Sequence, residues 1–222
     1  MTKSQWITLK AADGVEISAY EVWPDDPARG GLVVIQEIFG VNGHIRRVAD
    51  SYAADGYHVI APAIFDRAEP GFEVGYDDEG RTRGIALMQK VSGTDSMLDI
   101  AAAVELLKKE GKVGIIGYCL GGTYAWLAAS QLPVDAAVVY YGGGIGRYSD
   151  RKPGVPVQGH FGLLDRHIPQ SDLDKVRVYP NAELFTYQAD HGFNCDERSS
   201  YEPASAAQAR ERALGFLRAQ IG

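Results

Sequence analysis

Gly117-Tyr118-Cys119-Leu120-Gly121-Gly122 follows an apolar run containing Val113, Ile115 and Ile116 and precedes a helix-like stretch from Thr123 to Leu132. A reactive side chain therefore sits where a buried strand turns sharply into a helix, with glycine on either side. This is the pattern G-x-nucleophile-x-G, with cysteine in the place more often held by serine. The turn forces the nucleophile into a cramped backbone conformation, and flanking glycines avoid the clashes that a Cβ would make. The following helix points its N-terminus at the thiol. That favours the thiolate and offers backbone N–H groups to a developing oxyanion. A buried structural cysteine in a strand–turn–helix fits these six residues equally well, so the rest of the chain decides.

Residues that would serve such a nucleophile follow other strands. Leu32-Val33-Val34-Ile35 reads as a strand buried on both faces and runs into Gln36-Glu37-Ile38-Phe39-Gly40. Tyr57–Ala61 is the next strand, and 135–141, 155–161 and 182–188 complete the set. Helical spacing is expected over 44–55, 81–91, 96–110 and 203–220, with Gly56 and Gly111 as stops and Pro203 in the first turn of the last helix. Residues 6–12 and 15–23 alternate apolar and polar around Asp13-Gly14, which predicts an antiparallel hairpin. The stretch 66–80 reads as loop. Strands alternating with helices predict a mostly parallel sheet covered on both faces, with the hairpin at one edge. No repeat or linker divides the chain, so residues 1–222 are expected to form one domain.

Composition narrows the function classes. The 222 residues carry a net charge of −7 without any block of Lys or Arg, which argues against nucleic acid and anionic membranes as partners. No apolar run is long enough to span a bilayer, and Met1-Thr2-Lys3-Ser4-Gln5-Trp6 lacks the apolar core of a signal peptide. With only two cysteines, a reducing, cytoplasmic setting is expected. No spacing of histidine and cysteine suits a metal, and Gly142-Gly143-Gly144 lacks the Lys-Ser/Thr of a phosphate loop. No metal and no cofactor are expected, and the chain is expected to be a monomer or a weak oligomer.

A thiol nucleophile needs a base, and the base needs orienting. Of the five histidines, His44 and His58 read as structural or solvent-facing, His160 lies within a strand pattern, and His167 is a rival to His191. His191 follows a strand, between Asp190 and Gly192. In an open α/β sheet the loops after strand ends gather along one edge, where sites form. Cys119, Asp165 and His191 would meet there, in the chain order nucleophile, acid, base of the α/β-hydrolases. Asp190 is the alternative acid. The Leu120 N–H is one oxyanion donor, and the Ile38 N–H in the loop after Ile35 is the expected second. Glu37 would then lie beside the thiol. A carboxylate at the end of a buried strand is costly unless paired, so it is either an ion-pair partner or a group that tunes the cysteine.

Taken together, Gln36-Glu37-Ile38-Phe39-Gly40-Val41-Asn42, Gly114-Ile115-Ile116-Gly117-Tyr118-Cys119-Leu120-Gly121-Gly122, Tyr140-Tyr141-Gly142, Gly162-x-x-Asp165 and His191-Gly192-Phe193 resemble the dienelactone hydrolases (carboxymethylenebutenolidases). The resemblance runs from about residue 10 to 220. It implies an α/β-hydrolase fold and a Cys119–His191–Asp165 triad. It further implies that Glu37 holds the resting thiol until substrate shifts it. The substrate it implies is a small unsaturated lactone bearing a carboxylate, hydrolysed to maleylacetate. Of the two arginines that bind that carboxylate in the family, one corresponds to Arg81. At the second position this chain has Cys195, with Arg198 the nearest arginine. Tyr118 and Phe39 complete the expected substrate-binding set. Two alternatives stand beside this reading: a related cysteine hydrolase for another small ester or thioester, and a non-catalytic ligand-binding or thiol-sensing protein on the same fold.

Overall fold

The computed structural model describes residues 3–222, which form two compact units, one ending at Val113 and one beginning at Gly114. The first unit opens with the expected hairpin, β1 (Lys3–Lys10) and β2 (Glu16–Trp23), in antiparallel register with Leu9 opposite Ile17. The turn takes more chain than the alternation suggests. Gly14 adopts a φ of 87°, and the Ala11 N–H donates to the Val15 carbonyl, so the strands stop at Lys10 and resume at Glu16.

Strands β3 (Gly31–Ile35) and β4 (His58–Pro62) are buried along their whole length and pair in parallel, while β2 pairs antiparallel with the other edge of β4. Helix α1 (Gly43–Ala54) starts where the Asn42 side chain accepts the Ile45 N–H, and it buries Ile45, Ala49 and Tyr52. Helix α2 (Asp78–Lys90) begins three residues earlier than its apolar spacing predicts, because the Asp77 carboxylate caps it by accepting the Gly80 N–H at 2.7 Å. Helix α3 (Gly93–Leu107) is likewise started early, by Ser92. It gives way to a 3₁₀ turn over Lys108–Glu110 before Gly111 (φ 99°). Both shifts come from short polar side chains claiming free helix N–H groups, a signal independent of apolar period.

The second unit is a run of parallel strands: β5 (Val113–Tyr118), β6 (Ala136–Tyr140), β7 (Val157–Gly162) and β8 (Ala182–Tyr187). Helix α4 (Leu120–Gln131) follows β5 directly, and α6 (Pro203–Ile221) closes the chain, capped by the Glu202 carboxylate. Helix α5 (Gln170–Val176) is absent from the sequence expectation. It has seven residues, no side-chain cap, and only Leu173 and Val176 buried, too little pattern to register. Among the described residues no helix is long and apolar enough to cross a membrane.

Both units hold a buried histidine within a strand, as expected for His58 and His160. His58 in β4 lies between the carboxylates of Glu21 (2.9 Å) and Glu110 (3.2 Å) and stacks on Trp23. In the second unit a one-way relay runs through the core. The Arg212 guanidinium donates to the Tyr187 hydroxyl (3.1 Å), which donates to His160 Nδ1 (2.8 Å). His160 Nε2–H donates to Gln158 Oε1 (3.1 Å), and the Gln158 amide donates to Glu183 (3.3 Å).

Candidate active site

Cys119 stands at the junction of β5 and α4 with φ 54°, a left-handed backbone that a side chain adopts only where its surroundings enforce it. The glycines of the opening motif provide that enforcement. A Cβ on Gly117 would fall 1.9 Å from the Gly121 carbonyl oxygen, and one on Gly122 would fall 2.5 Å from that of Tyr140. The Cys119 N–H donates to the Tyr140 carbonyl (3.0 Å), which ties the elbow to the end of β6. Cys119 and Leu120 are both half-buried.

Asp165, in the loop after β7, is buried, and its Oδ2 accepts from His191 Nδ1 at 2.7 Å. The other carboxylate oxygen accepts the His167 backbone N–H at 2.8 Å, which fixes the acid's orientation. His191 Nε2 faces Cys119 Sγ at 3.1 Å. The second unit thus brings Cys119, His191 and Asp165 together. With Asp165 on Nδ1, the imidazole carries its proton there and turns Nε2 to the sulfur. Asp190 is not the orienting acid: its carboxylate accepts the His191 backbone N–H at 2.6 Å. Burial pushes the His191 imidazole down. The charge on Cys119 and the Asp165 hydrogen bond outweigh that and raise its pKa to about 10.

Backbone around His191 is pinned as well. The Ser200 hydroxyl donates to the His191 carbonyl (2.7 Å), and Gly192 has φ 78°. The Arg198 guanidinium lies so close over Gly192 that a Cβ there would fall 2.4 Å from Nη1. Arg198 therefore sits one residue from the imidazole. Cys195 is fully buried, and so is Tyr118, whose ring packs at 4.8 Å from Tyr140.

The remaining expected residues belong to the first unit. Glu37 is fully buried just past β3, and the Gln36 amide donates to its carbonyl. Ile38 is half-buried, and the loop is held from behind by α2, since a Cβ on Gly84 would meet the Ile38 carbonyl oxygen at 2.2 Å. Phe39 is buried against Tyr76 at 4.4 Å, and Arg81 is exposed in the first turn of α2.

Two further rings lie beside the imidazole. The Tyr141 ring stands 5.1 Å from it at 60°, and the exposed His167 ring 5.4 Å from it at 78°. His167 was weighed as a base, whereas the structure uses its backbone on Asp165 and its ring beside His191. The Tyr140-Tyr141-Gly142 motif was the available signal for Tyr141, but nothing in it announces a φ of 36°.

The chain matches known proteins along most of its length. The model of the dienelactone hydrolase family matches residues 17–221. The chain is 37% identical over 212 residues to the putative carboxymethylenebutenolidase of Synechocystis sp., covering 86% of each. It is 31% identical to the carboxymethylenebutenolidase of Pseudomonas putida, covering 96% of each. Its fold matches the crystal structure of a putative dienelactone hydrolase from Klebsiella pneumoniae with a TM-score of 0.83, 28% identity and 99% of both chains covered. These matches carry the expected α/β-hydrolase fold.

Proposed function

The chain belongs to the dienelactone hydrolase family and is a hydrolase of that type, and from that premise we propose that Cys119, His191 and Asp165 hydrolyse a small lactone or ester through a thioester. The observation that carries this is the continuous line Asp165 Oδ2–His191 Nδ1 at 2.7 Å and His191 Nε2–Cys119 Sγ at 3.1 Å. With the thiol proton already on His191, the Cys119 thiolate attacks the ester carbonyl carbon. The carbonyl electron pair moves onto oxygen, which the Leu120 N–H meets at the start of α4. As the tetrahedral intermediate collapses, the C–O bond breaks and the leaving alkoxide or enolate takes the proton from His191. Water then attacks the thioester with His191 as base, releasing the acid and restoring the thiol. Asp165 orients the imidazole and stabilises its cation throughout.

The Ile38 N–H, in the loop after β3, is the second oxyanion donor by the sequence pattern, and by the family resemblance Glu37 is the carboxylate that holds the resting thiol. By the same resemblance the substrate carries a carboxylate, and the dienelactone that yields maleylacetate is its type. Arg81 supplies one cation by the family pattern. Arg198, packed over Gly192, supplies the one that Cys195 lacks. An Arg–carboxylate contact is worth about 1.5–3 kcal/mol, so Arg198→Ala should cost roughly 10- to 100-fold in kcat/KM on a dienelactone and little on a neutral ester. Equal losses on both would instead favour a hydrolase of neutral esters or thioesters. Cys119 and Cys195 do not form a disulfide, which suits a reducing, cytoplasmic setting. The primary test is Cys119→Ala: turnover of p-nitrophenyl acetate should vanish while the unfolding midpoint holds, and retained turnover would overturn the assignment.

A further inference from the structure

We infer that Tyr141 and His167 are positioning residues that clamp the His191 imidazole and fix the plane in which it moves protons. The inference rests on His191 being the base. Its two ring hydrogen bonds, to Asp165 and to Cys119, leave from separate nitrogens and together define little more than one line through the ring. The imidazole can still rock about that line. Only contacts beside the ring can stop it, and two rings supply them. Tyr141 meets it at 5.1 Å and 60°, and His167 at 5.4 Å and 78°. Crossed geometries of this kind are the favoured ones between aromatic rings.

Each ring is itself held. The Tyr141 N–H donates to the His160 carbonyl at 2.9 Å, and its ring meets Phe193 at 5.5 Å and Tyr140 at 6.0 Å, both T-shaped. Tyr141 and Cys119 are the two non-glycine residues with positive φ among the described residues. Such a conformation is unfavourable for a side-chain-bearing residue and persists where the surroundings over-determine it. One of the two strained positions carries the nucleophile, and the other sets a ring against its base. His167 is anchored differently, by its N–H on the Asp165 carboxylate. One carboxylate thus orients the imidazole directly and, through the backbone, the ring beside it. The base must serve Cys119 first and the leaving group and water afterwards, and a misplacement of about 1 Å in such a transfer can cost about 100-fold. A clamp that limits rocking keeps both positions in reach.

The test compares Tyr141→Leu with Tyr141→Phe and His167→Leu with His167→Phe. It measures p-nitrophenyl acetate turnover and the rate at which iodoacetamide alkylates Cys119, followed by intact mass. Each leucine variant should lose about 10-fold in kcat with KM moving less than about twofold, and should slow alkylation. Each phenylalanine variant, which keeps a ring in place, should recover most of the loss. Leucine variants with kcat within about twofold of the parent, or phenylalanine variants as impaired as leucine ones, would overturn the clamp. If Tyr141→Leu does not fold, the His167 pair decides, because that side chain is exposed. Cys119→Ala is the control arm. Its inactivity alongside undisturbed leucine variants defeats the clamp alone, whereas its activity defeats the reading of the site and the clamp with it.

Discussion

His160 and His191 are both largely buried imidazoles of the second unit, each with both ring nitrogens engaged, yet their proton affinities are driven in opposite directions. His160 is held among neutral partners, the Tyr187 hydroxyl and the Gln158 carbonyl, with the cationic Arg212 just beyond. Burial, joined by the Arg212 charge, lowers its pKa to about 3. His191 is also desolvated, but it sits between the Asp165 carboxylate and the Cys119 sulfur and is raised to about 10. Burial alone therefore does not make a base. The charge of the groups on the two nitrogens decides whether the fold stores a neutral ring or an imidazolium.

The comparison can be broken most sharply at Asp165. Asp165→Asn keeps the shape and removes the charge, so kcat on p-nitrophenyl acetate should fall by about 10³- to 10⁴-fold while circular dichroism shows the fold retained. The opposite exchange gives His160 what His191 has. Gln158→Glu places a carboxylate against Nε2, and the His160 titration, followed by NMR of the ring protons, should rise by about 1–3 pH units. No rise would mean that the partner's charge is not what separates the two rings. Tyr187→Phe sharpens the same point through stability. It deprives His160 Nδ1 of its donor and the Arg212 guanidinium of an acceptor, and should cost about 1–3 kcal/mol in urea unfolding at pH 7.

Smallest per measurement, and opposite in sign for the two rings, are the pH slopes of stability. His160 has a folded pKa below its ordinary value of about 6.5. Its contribution is intact above that pH and is lost as the pH falls toward about 3, by up to roughly 1.4 kcal/mol per unit. His191 is raised, so its contribution is complete below about pH 6.5 and is lost as the pH rises through about 10. Urea midpoints for His160→Leu should therefore flatten on the acid side, and those for Asp165→Asn on the alkaline side. A single variant that flattened both would contradict the separation.

What the sequence disclosed and what it concealed divide along similar lines. Cys119, Asp165 and His191 were legible because each follows a strand, and the first of those strands is an apolar run that is hard to misread. Glycine at 117 and 122 was legible because close backbone approach leaves no other choice. The starts of α2 and α3 were misplaced because Asp77 and Ser92 act through single side-chain hydrogen bonds rather than through a period. Helix α5 went unseen for want of apolar residues. Tyr141 and His167 were hidden for a different reason. A ring set against another across distant stretches of chain depends on how β6 and the loop after β7 are placed in space, and no local pattern encodes that. The Asp165–Asp190 choice was open for the same reason: adjacent in sequence to His191, Asp190 spends its carboxylate on backbone, while the acid 26 residues away reaches the ring.

The relay through the core of the second unit has a consequence for how the chain can vary. Glu183 as a carboxylate can only accept, which turns the Gln158 amide toward it, and Arg212 can only donate, so the Tyr187 hydroxyl is left to give its single proton to His160. His160 must then place its own proton on the far nitrogen, and Gln158 must turn its carbonyl inward and its amide toward Glu183. A donor at one end and an acceptor at the other dictate the rotor, tautomer and amide orientation of the three residues between them, leaving a single arrangement where an undirected network would have several. Replacing Arg212 with an acceptor would require every member to reverse at once, and the Glu183 end, which cannot donate as a carboxylate, would have to change with it. The two ends of the relay are in this sense one heritable character spread over two distant positions.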